Sequence, residues 1–176
     1  ALGRLKNEIP MEITIIGDAS TEERSQREKR HIHEIVEKYQ LGPQIHFMGY
    51  QPYRVLFEEA YKHHVFLSPS VTAEDGDTEG GAPVSIIEMA ATGMPVVSTF
   101  HCDIPEVIQD GETGLLAEER NVSQLCEKIL WLAGHPDSWT QMLDNGRKYI
   151  EAQFDAKIQG VTLGDIYDKL VHRENP

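Results

Sequence analysis

The sequence has few cysteines, few basic residues and no long apolar run. Two cysteines are too few for a disulfide scaffold, and this number favours a reducing, cytoplasmic setting. No stretch approaches the roughly 18 apolar residues that span a bilayer. Sixteen Lys and Arg stand against 29 Asp and Glu, which gives a net charge of −13. Such an acidic chain repels phosphate backbones and anionic lipid, so we expect no nucleic-acid partner and no docking of this domain onto anionic lipid. The lack of a long apolar run predicts no membrane span.

What is present is typical of one globular domain. The 176 residues are 40% hydrophobic and 26% charged, which is close to the average for folded proteins. Short β-branched runs alternate with longer helical patterns, and Ser20 with Glu23 fits a capping box at the first long helix. The runs that predict strands are 12–16, 45–48, 65–67, 95–98 and 114–116. After residue 121 the pattern is helical to the C-terminal end.

This alternation predicts βαβ units. We therefore expect an α/β fold, a Rossmann-like parallel sheet with helices on both faces and a helical C-terminal tail. Ligands of such sheets bind where strand ends meet helix N-termini. Residues 1–6 resemble the last turns of a helix, and on this pattern we expect the chain to be a fragment whose beginning is absent.

The loop at 74–83 is the most informative segment. It contains four carboxylates and three glycines, and it leads into an almost wholly apolar helix. Gly80 and Gly81 allow a ligand to approach the backbone closely. Pro83 fits the first position of the helix, whose free N–H groups offer an anion site suited to a diphosphate.

Glu88 is the single carboxylate of that apolar helix. Because burying a lone charge is costly, Glu88 must be paired or must bind something, and a ribose diol is a natural ligand. The alternative is a flexible acidic loop before a core helix, with Glu88 bonded to a neighbouring side chain.

Four segments together resemble glycosyltransferase family 4. They are EGGAPVSIIEMAATGMPVVS at 79–98, IPEVIQDGETGLL at 104–116, IHFMGY at 45–50 and VFLSPS at 65–70. The resemblance implies the GT-B fold, in which two Rossmann-like domains enclose a cleft, and it assigns this chain to the C-terminal, donor-binding domain. It further implies a retaining, metal-independent transfer of sugar from a nucleoside-diphosphate sugar, with no cofactor.

The resemblance also implies individual roles. Glu88 matches the second Glu of the family's E-x7-E motif, which holds the donor ribose, and Glu79 is the candidate for the first Glu, which contacts the transferred sugar as the catalytic position. The implied donor-binding positions are Gly49, Tyr50, Gly80, Gly81, Ala82, Pro83, Val84 and Glu88. Glu79 stands nine residues before Glu88 and Gly80 stands eight before it, so either of the two occupies the first motif position.

Two family features precede the point where the sequence begins. They are a first strand with basic residues that neutralise the diphosphate, and the N-terminal domain with a catalytic His. We expect the glycan or lipid-linked acceptor to bind there, so the chain alone binds donor without transferring sugar. Polysaccharide biosynthesis in the cytoplasm, with the full-length protein at the inner membrane face, follows as the family-level expectation.

Several alternatives stay open. A non-catalytic nucleotide-sugar-binding module and a GT-B-fold sugar epimerase fit the same residues, and a flavodoxin-like receiver domain is a remote third. Asp75 and Asp77 form a D-x-D pair that elsewhere holds a metal, but we favour a solvated loop and expect no metal. His101-Cys102-Asp103 suggests a metal or nucleophile site, but a loop edging the cleft is the preferred interpretation.

Overall fold

The computed structural model describes residues 1–173. Within this range the order of elements is α1 (Leu2–Leu5), β1 (Ile13–Ile16), α2 (Glu23–Lys38), β2 (Ile45–Gly49), α3 (Tyr53–Ala60), β3 (Phe66–Leu67), α4 (Val84–Ala91), β4 (Val96–Thr99), α5 (Ile104–Val107), β5 (Leu115–Ala117), α6 (Val122–Gly134), α7 (Trp139–Gln153) and α8 (Ala156–Arg173). The chain divides into two compact units: unit 1 is Ala1–His64 with Asn121–Gly134, and unit 2 is Val65–Arg120 with the chain from His135 onward.

Unit 1 contains a two-stranded parallel sheet, in which Ile13 of β1 lies opposite Ile45 of β2. The short helix α1 packs on α6 and buries Leu5 almost completely. The ring of His63 joins two elements of the unit: one nitrogen lies 2.7 Å from the carbonyl oxygen of Glu59, and the other lies 2.9 Å from Thr14 Oγ1.

Unit 2 contains a three-stranded parallel sheet in the order β3-β4-β5. All four residues of the central strand β4 are buried, which explains its uninterrupted run of apolar and small residues. Helix α4 packs against α7 and buries Ile86, Met89 and Ala90. Because the strands are parallel, their carboxyl ends lie at one edge of the sheet, and the candidate functional residues of unit 2 follow those ends.

The predicted α/β fold with parallel strands, flanking helices and a helical C-terminal region is confirmed. The strands occupy two sheets, one in each unit. The capping box is wrong: α2 begins at Glu23 without a side-chain cap, and Ser20 Oγ instead accepts the N–H of Glu22 before the helix. Pro83 is the N-cap of α4 rather than its first helical residue, because its backbone is extended at ψ 132°.

Candidate functional site

Buried hydroxyls of β4 hold the segment that leaves β3. Ser98 Oγ donates a hydrogen bond of 2.6 Å to the carbonyl oxygen of Ser68, and Thr99 Oγ1 donates to the carbonyl oxygen of Ser70. Ser98 and Thr99 are both buried, so these bonds form away from solvent. The start of the loop is therefore fixed to the centre of the sheet.

The middle of the loop is an exposed acidic turn. The N–H of Ala73 donates to the carbonyl oxygen of Asp77 at 2.8 Å, and Gly76 takes the positive φ of +86° that the turn requires. Asp75 Oδ1 accepts the N–H of Asp77. Among residues 1–173, no group of three or more His, Cys, Asp or Glu side chains is arranged to hold a metal ion.

Glu79 is held at two points. Its N–H donates to Nε2 of His101 at 3.2 Å, and its Oε1 accepts a hydrogen bond of 2.9 Å from the hydroxyl of Ser70. The next residue, Gly80, has φ +71°, a conformation that favours glycine and turns the chain towards α4. The backbone and the carboxylate of Glu79 are thus both fixed while the residue itself remains exposed.

Helix α4 begins at Val84, five residues after Glu79. Its N-cap Pro83 makes no side-chain capping bond, and the first turn contains no acidic residue. N–H groups at such an end carry partial positive charge and are suited to an anion such as a phosphate. Val84 is 65% exposed, so the first turn is open to a ligand.

Glu88 lies one helical turn after Val84 on the same face of α4. It is half-buried, and it already interacts with a neighbouring group of the structure. This position fits Glu88 both as a ribose ligand and as a residue paired within the fold.

His101 and Glu119 form a pair that was not identified from the sequence. The register of β4 and β5 pairs Thr99 with Ala117, and each member of the pair lies two residues beyond its strand. His101 is only 1% exposed, and its Nδ1 lies 2.6 Å from Glu119 Oε1. The expected cleft-edge loop at 101–103 thus begins with a buried histidine. The signal that could have identified this pair is a polar residue two positions after the end of each of two neighbouring parallel strands.

Glu119 also holds the start of the loop. Its Oε2 accepts the N–H of Thr72 at 2.8 Å, and Arg120 donates to the carbonyl oxygen of Thr72. The hydrogen bond from the Thr72 N–H, followed by that from His101, lowers the pKa of the Glu119 carboxyl below its ordinary value. The ionised carboxylate is therefore the form that this arrangement favours.

Gly49 and Tyr50 belong to unit 1, at the end of β2. Gly49 has φ +65°, and its carbonyl oxygen accepts the N–H of Gly17 at 2.8 Å. Tyr50 is 69% exposed. Of the predicted donor-binding residues, those of the loop and α4 come together in unit 2, whereas Gly49 and Tyr50 lie in the other unit.

The comparisons with known proteins agree with this architecture. The family model described as glycosyl transferases group 1 matches residues 1–135. WcaL of Escherichia coli strain K12, a glycosyltransferase assigned to colanic acid biosynthesis, is 30% identical over 143 residues, which are 81% of this chain and 35% of WcaL. The amylovoran biosynthesis glycosyltransferase AmsK of Erwinia amylovora is 32% identical over 126 residues, 72% of this chain and 31% of AmsK. The chain thus spans about a third of the length of these relatives.

Solved structures share the fold. HepE of Anabaena in complex with UDP superimposes with a TM-score of 0.81 at 17% identity, over 96% of this chain and 44% of HepE. At that identity the likeness establishes the fold alone. Within residues 1–173, no helix has both the length and the apolar character needed to cross a membrane.

Proposed function

The chain belongs to the glycosyl transferases group 1 family, and from this we propose that it binds the nucleoside-diphosphate sugar donor of a retaining glycosyltransferase. HepE, which shares the fold, has been solved with UDP and with UDP-glucose, and this supports a nucleotide sugar as ligand. The two units would then form the C-terminal, donor-binding half of a GT-B enzyme.

One observation carries this proposal: a helix N-terminus without a side-chain cap begins five residues after a carboxylate that is fixed in place. The N-cap of α4 makes no side-chain bond, so its N–H groups are directed at the loop side of the helix. The N–H of Glu79 is hydrogen-bonded to His101, and its carboxylate is hydrogen-bonded to Ser70. A diphosphate at the helix end would place the attached sugar beside Glu79.

The chemistry that these residues supply is electrostatic. As the bond between sugar and diphosphate breaks, negative charge grows on the leaving phosphate oxygens, and the backbone N–H groups of Gly81, Ala82 and Val84 on either side of Pro83 stabilise it. Glu79 orients the transferred sugar and Glu88 accepts hydrogen bonds from the ribose. The chain's net charge of −13 opposes a diphosphate at long range, so local contacts must supply the affinity.

We assign acceptor binding to residues outside this chain, since the GT-B arrangement places it in the other domain. WcaL and AmsK are named for colanic acid and amylovoran biosynthesis. We propose an acceptor of the same class, a growing polysaccharide or lipid-linked glycan. The free thiols of Cys102 and Cys126 fit a reducing compartment, and we place the reaction in the cytoplasm.

The test is titration calorimetry of the chain with UDP, GDP and ADP, followed by assays of the complete gene product with UDP-glucose or GDP-mannose and a lipid-linked glycan acceptor. We expect one nucleoside diphosphate to bind and a glycoside product with the donor's anomeric configuration, read by NMR. Absence of binding by all three nucleotides contradicts the donor-site assignment. An isomerised donor formed without acceptor would show an epimerase instead.

A further inference from the structure

His101 uses both nitrogens of a buried ring to join two parts of unit 2. Nδ1 lies 2.6 Å from Glu119 Oε1, and Nε2 accepts the backbone N–H of Glu79 at 3.2 Å. Cys102 Sγ also lies 3.3 Å from Nε2. With 1% of its surface exposed, the ring makes these contacts out of water, where an unsatisfied nitrogen would be costly.

The direction of the bonds fixes the tautomer. An N–H donates to Nε2, so this nitrogen presents a lone pair, and the ring proton is on Nδ1. That proton points to the Glu119 carboxylate, whose ionised form is favoured by the lowered pKa. Glu119 therefore holds the ring in the only tautomer that can accept the Glu79 N–H.

The same pair holds both ends of the loop. Glu119 accepts the N–H and the hydroxyl of Thr72, and His101 accepts the N–H of Glu79. The loop between Thr72 and Glu79 carries the exposed acidic turn, so its two ends are bonded to the pair while its middle faces solvent. The pair thus limits the positions that the Glu79 backbone can take.

The backbone after each member is unusual. Cys102, next to His101, has φ +44°, and Arg120, next to Glu119, has φ +60°. A non-glycine residue in this region has an energetic cost, and such costs cluster where surrounding structure imposes a geometry. Cys102 directly follows His101 beyond the end of β4, and Arg120 directly follows Glu119 beyond the end of β5.

We propose that His101, oriented by Glu119, is a positioning residue that fixes Glu79 against the transferred sugar. The inference rests on the proposed function, in which Glu79 contacts that sugar. If the distance between Glu79 and the sugar changes by about 1 Å, the rate falls by as much as about 100-fold, because the transition state is sensitive to such a displacement. Ground-state binding of the nucleotide depends on other residues, so KM should change little.

The experiment compares His101→Ala and His101→Gln in the complete gene product. Rates are measured as UDP release from UDP-glucose or GDP release from GDP-mannose, whichever the unsubstituted protein hydrolyses. We expect His101→Ala to lower kcat by about 10- to 100-fold with KM within about threefold. His101→Gln should recover most of kcat, because its Oε1 can accept the Glu79 N–H. Hydrogen–deuterium exchange should show faster exchange at the Glu79 N–H in His101→Ala only.

His63→Ala is the matched control. This histidine also bonds through both ring nitrogens, but to Glu59 and Thr14 in unit 1. We expect it to lower thermal stability without changing kcat.

Three outcomes contradict the proposal. Unchanged kcat in His101→Ala overturns it, and so does an equal fall in kcat for His101→Ala and His63→Ala, which would reflect lost stability. Failure of the unsubstituted protein to bind any nucleotide or to hydrolyse either donor is a different result: it overturns the proposed function, and the inference with it.

Discussion

The hydroxyl of Ser70 donates a hydrogen bond of 2.9 Å to Oε1 of Glu79, nine residues further along the chain. The carbonyl oxygen of Ser70 is itself held by the buried hydroxyl of Thr99 on β4. A strand in the centre of the sheet is thereby connected, through the half-buried Ser70, to the carboxylate that we place beside the donor sugar.

Ser70→Ala tests this connection. Removing one hydrogen bond to a charged group costs about 1.5–3 kcal/mol when the bond is fully formed, and less at an exposed position. We expect kcat for donor hydrolysis to fall about three- to tenfold, with an unchanged melting temperature. Ser123→Ala is the control, because Ser123 accepts a bond from Arg4 at an exposed site in unit 1. Equal rates in the two variants would contradict a role for Ser70.

Glu88→Gln tests the ribose contact. The amide keeps the size of the side chain but loses the charge and one acceptor, so the bond to a ribose diol weakens. We expect the Kd of the preferred nucleoside diphosphate, measured by calorimetry, to rise about tenfold or more while the circular dichroism spectrum is unchanged. Glu58→Gln, on α3 in an exposed pair with Arg54, should bind like the unsubstituted chain. Unchanged nucleotide affinity in Glu88→Gln would contradict the ribose contact and would show that Glu88 has a structural role.

Glu119→Gln should alter the dependence of stability on pH. The pKa of Glu119 is lowered from 4.5, chiefly by the Thr72 N–H and then by His101. Because the pKa is lower in the folded state, the ionised carboxylate adds to the free energy of unfolding above pH 4.5. This contribution is lost as the pH falls through the folded-state pKa. The unsubstituted chain should therefore be more stable than the variant near pH 7, and the difference should shrink on acidification. Urea unfolding from pH 3 to 7 measures this difference in the free energy of unfolding. A difference that does not change with pH would contradict the pKa shift.

Transfer should not require a metal ion. Asp75 and Asp77 accept backbone N–H groups of their own turn, an arrangement that serves the loop without a cation. We expect the complete gene product to keep its rate of donor hydrolysis in excess EDTA. A loss of activity that Mn²⁺ restores would instead make these two aspartates metal ligands.

Gly114→Ala should destabilise unit 2. A Cβ at this position would lie 2.8 Å from Ile108 Cγ2 and 2.9 Å from the carbonyl oxygen of Val96, so the backbone of the buried strand β4 would have to shift. We expect a loss of about 1–3 kcal/mol, seen as a lower melting temperature. Gly134→Ala is the matched control, since no atom lies within 4 Å of its Cβ position. Equal melting temperatures would contradict the steric conflict.

Local pattern was sufficient for much of the fold. The β-branched runs correctly indicated β1 to β5, and the apolar run after Pro83 correctly indicated a packed helix, because both signals arise within a few consecutive residues. Glu79, Gly80 and Gly81 could be identified as a loop before a helix N-terminus for the same reason. The start of α2 did not follow from spacing: Ser20 Oγ accepts the N–H of Glu22 and donates to Ser25 Oγ in the helix, and sequence spacing alone does not separate these bonds from a capping box.

The sequence by itself determined the order of elements, the parallel α/β class and the segment 79–88 that resembles a sugar-nucleotide motif. Only the tertiary structure decided that His101 is buried and bonded to Glu119, 18 residues away, and that the pair holds Thr72 and Glu79. The physical reason is that hydrophobic periodicity is set along the chain, whereas hydrogen bonds among side chains depend on the register of β4 against β5. That register is fixed only when the strands pair and the sheet is packed.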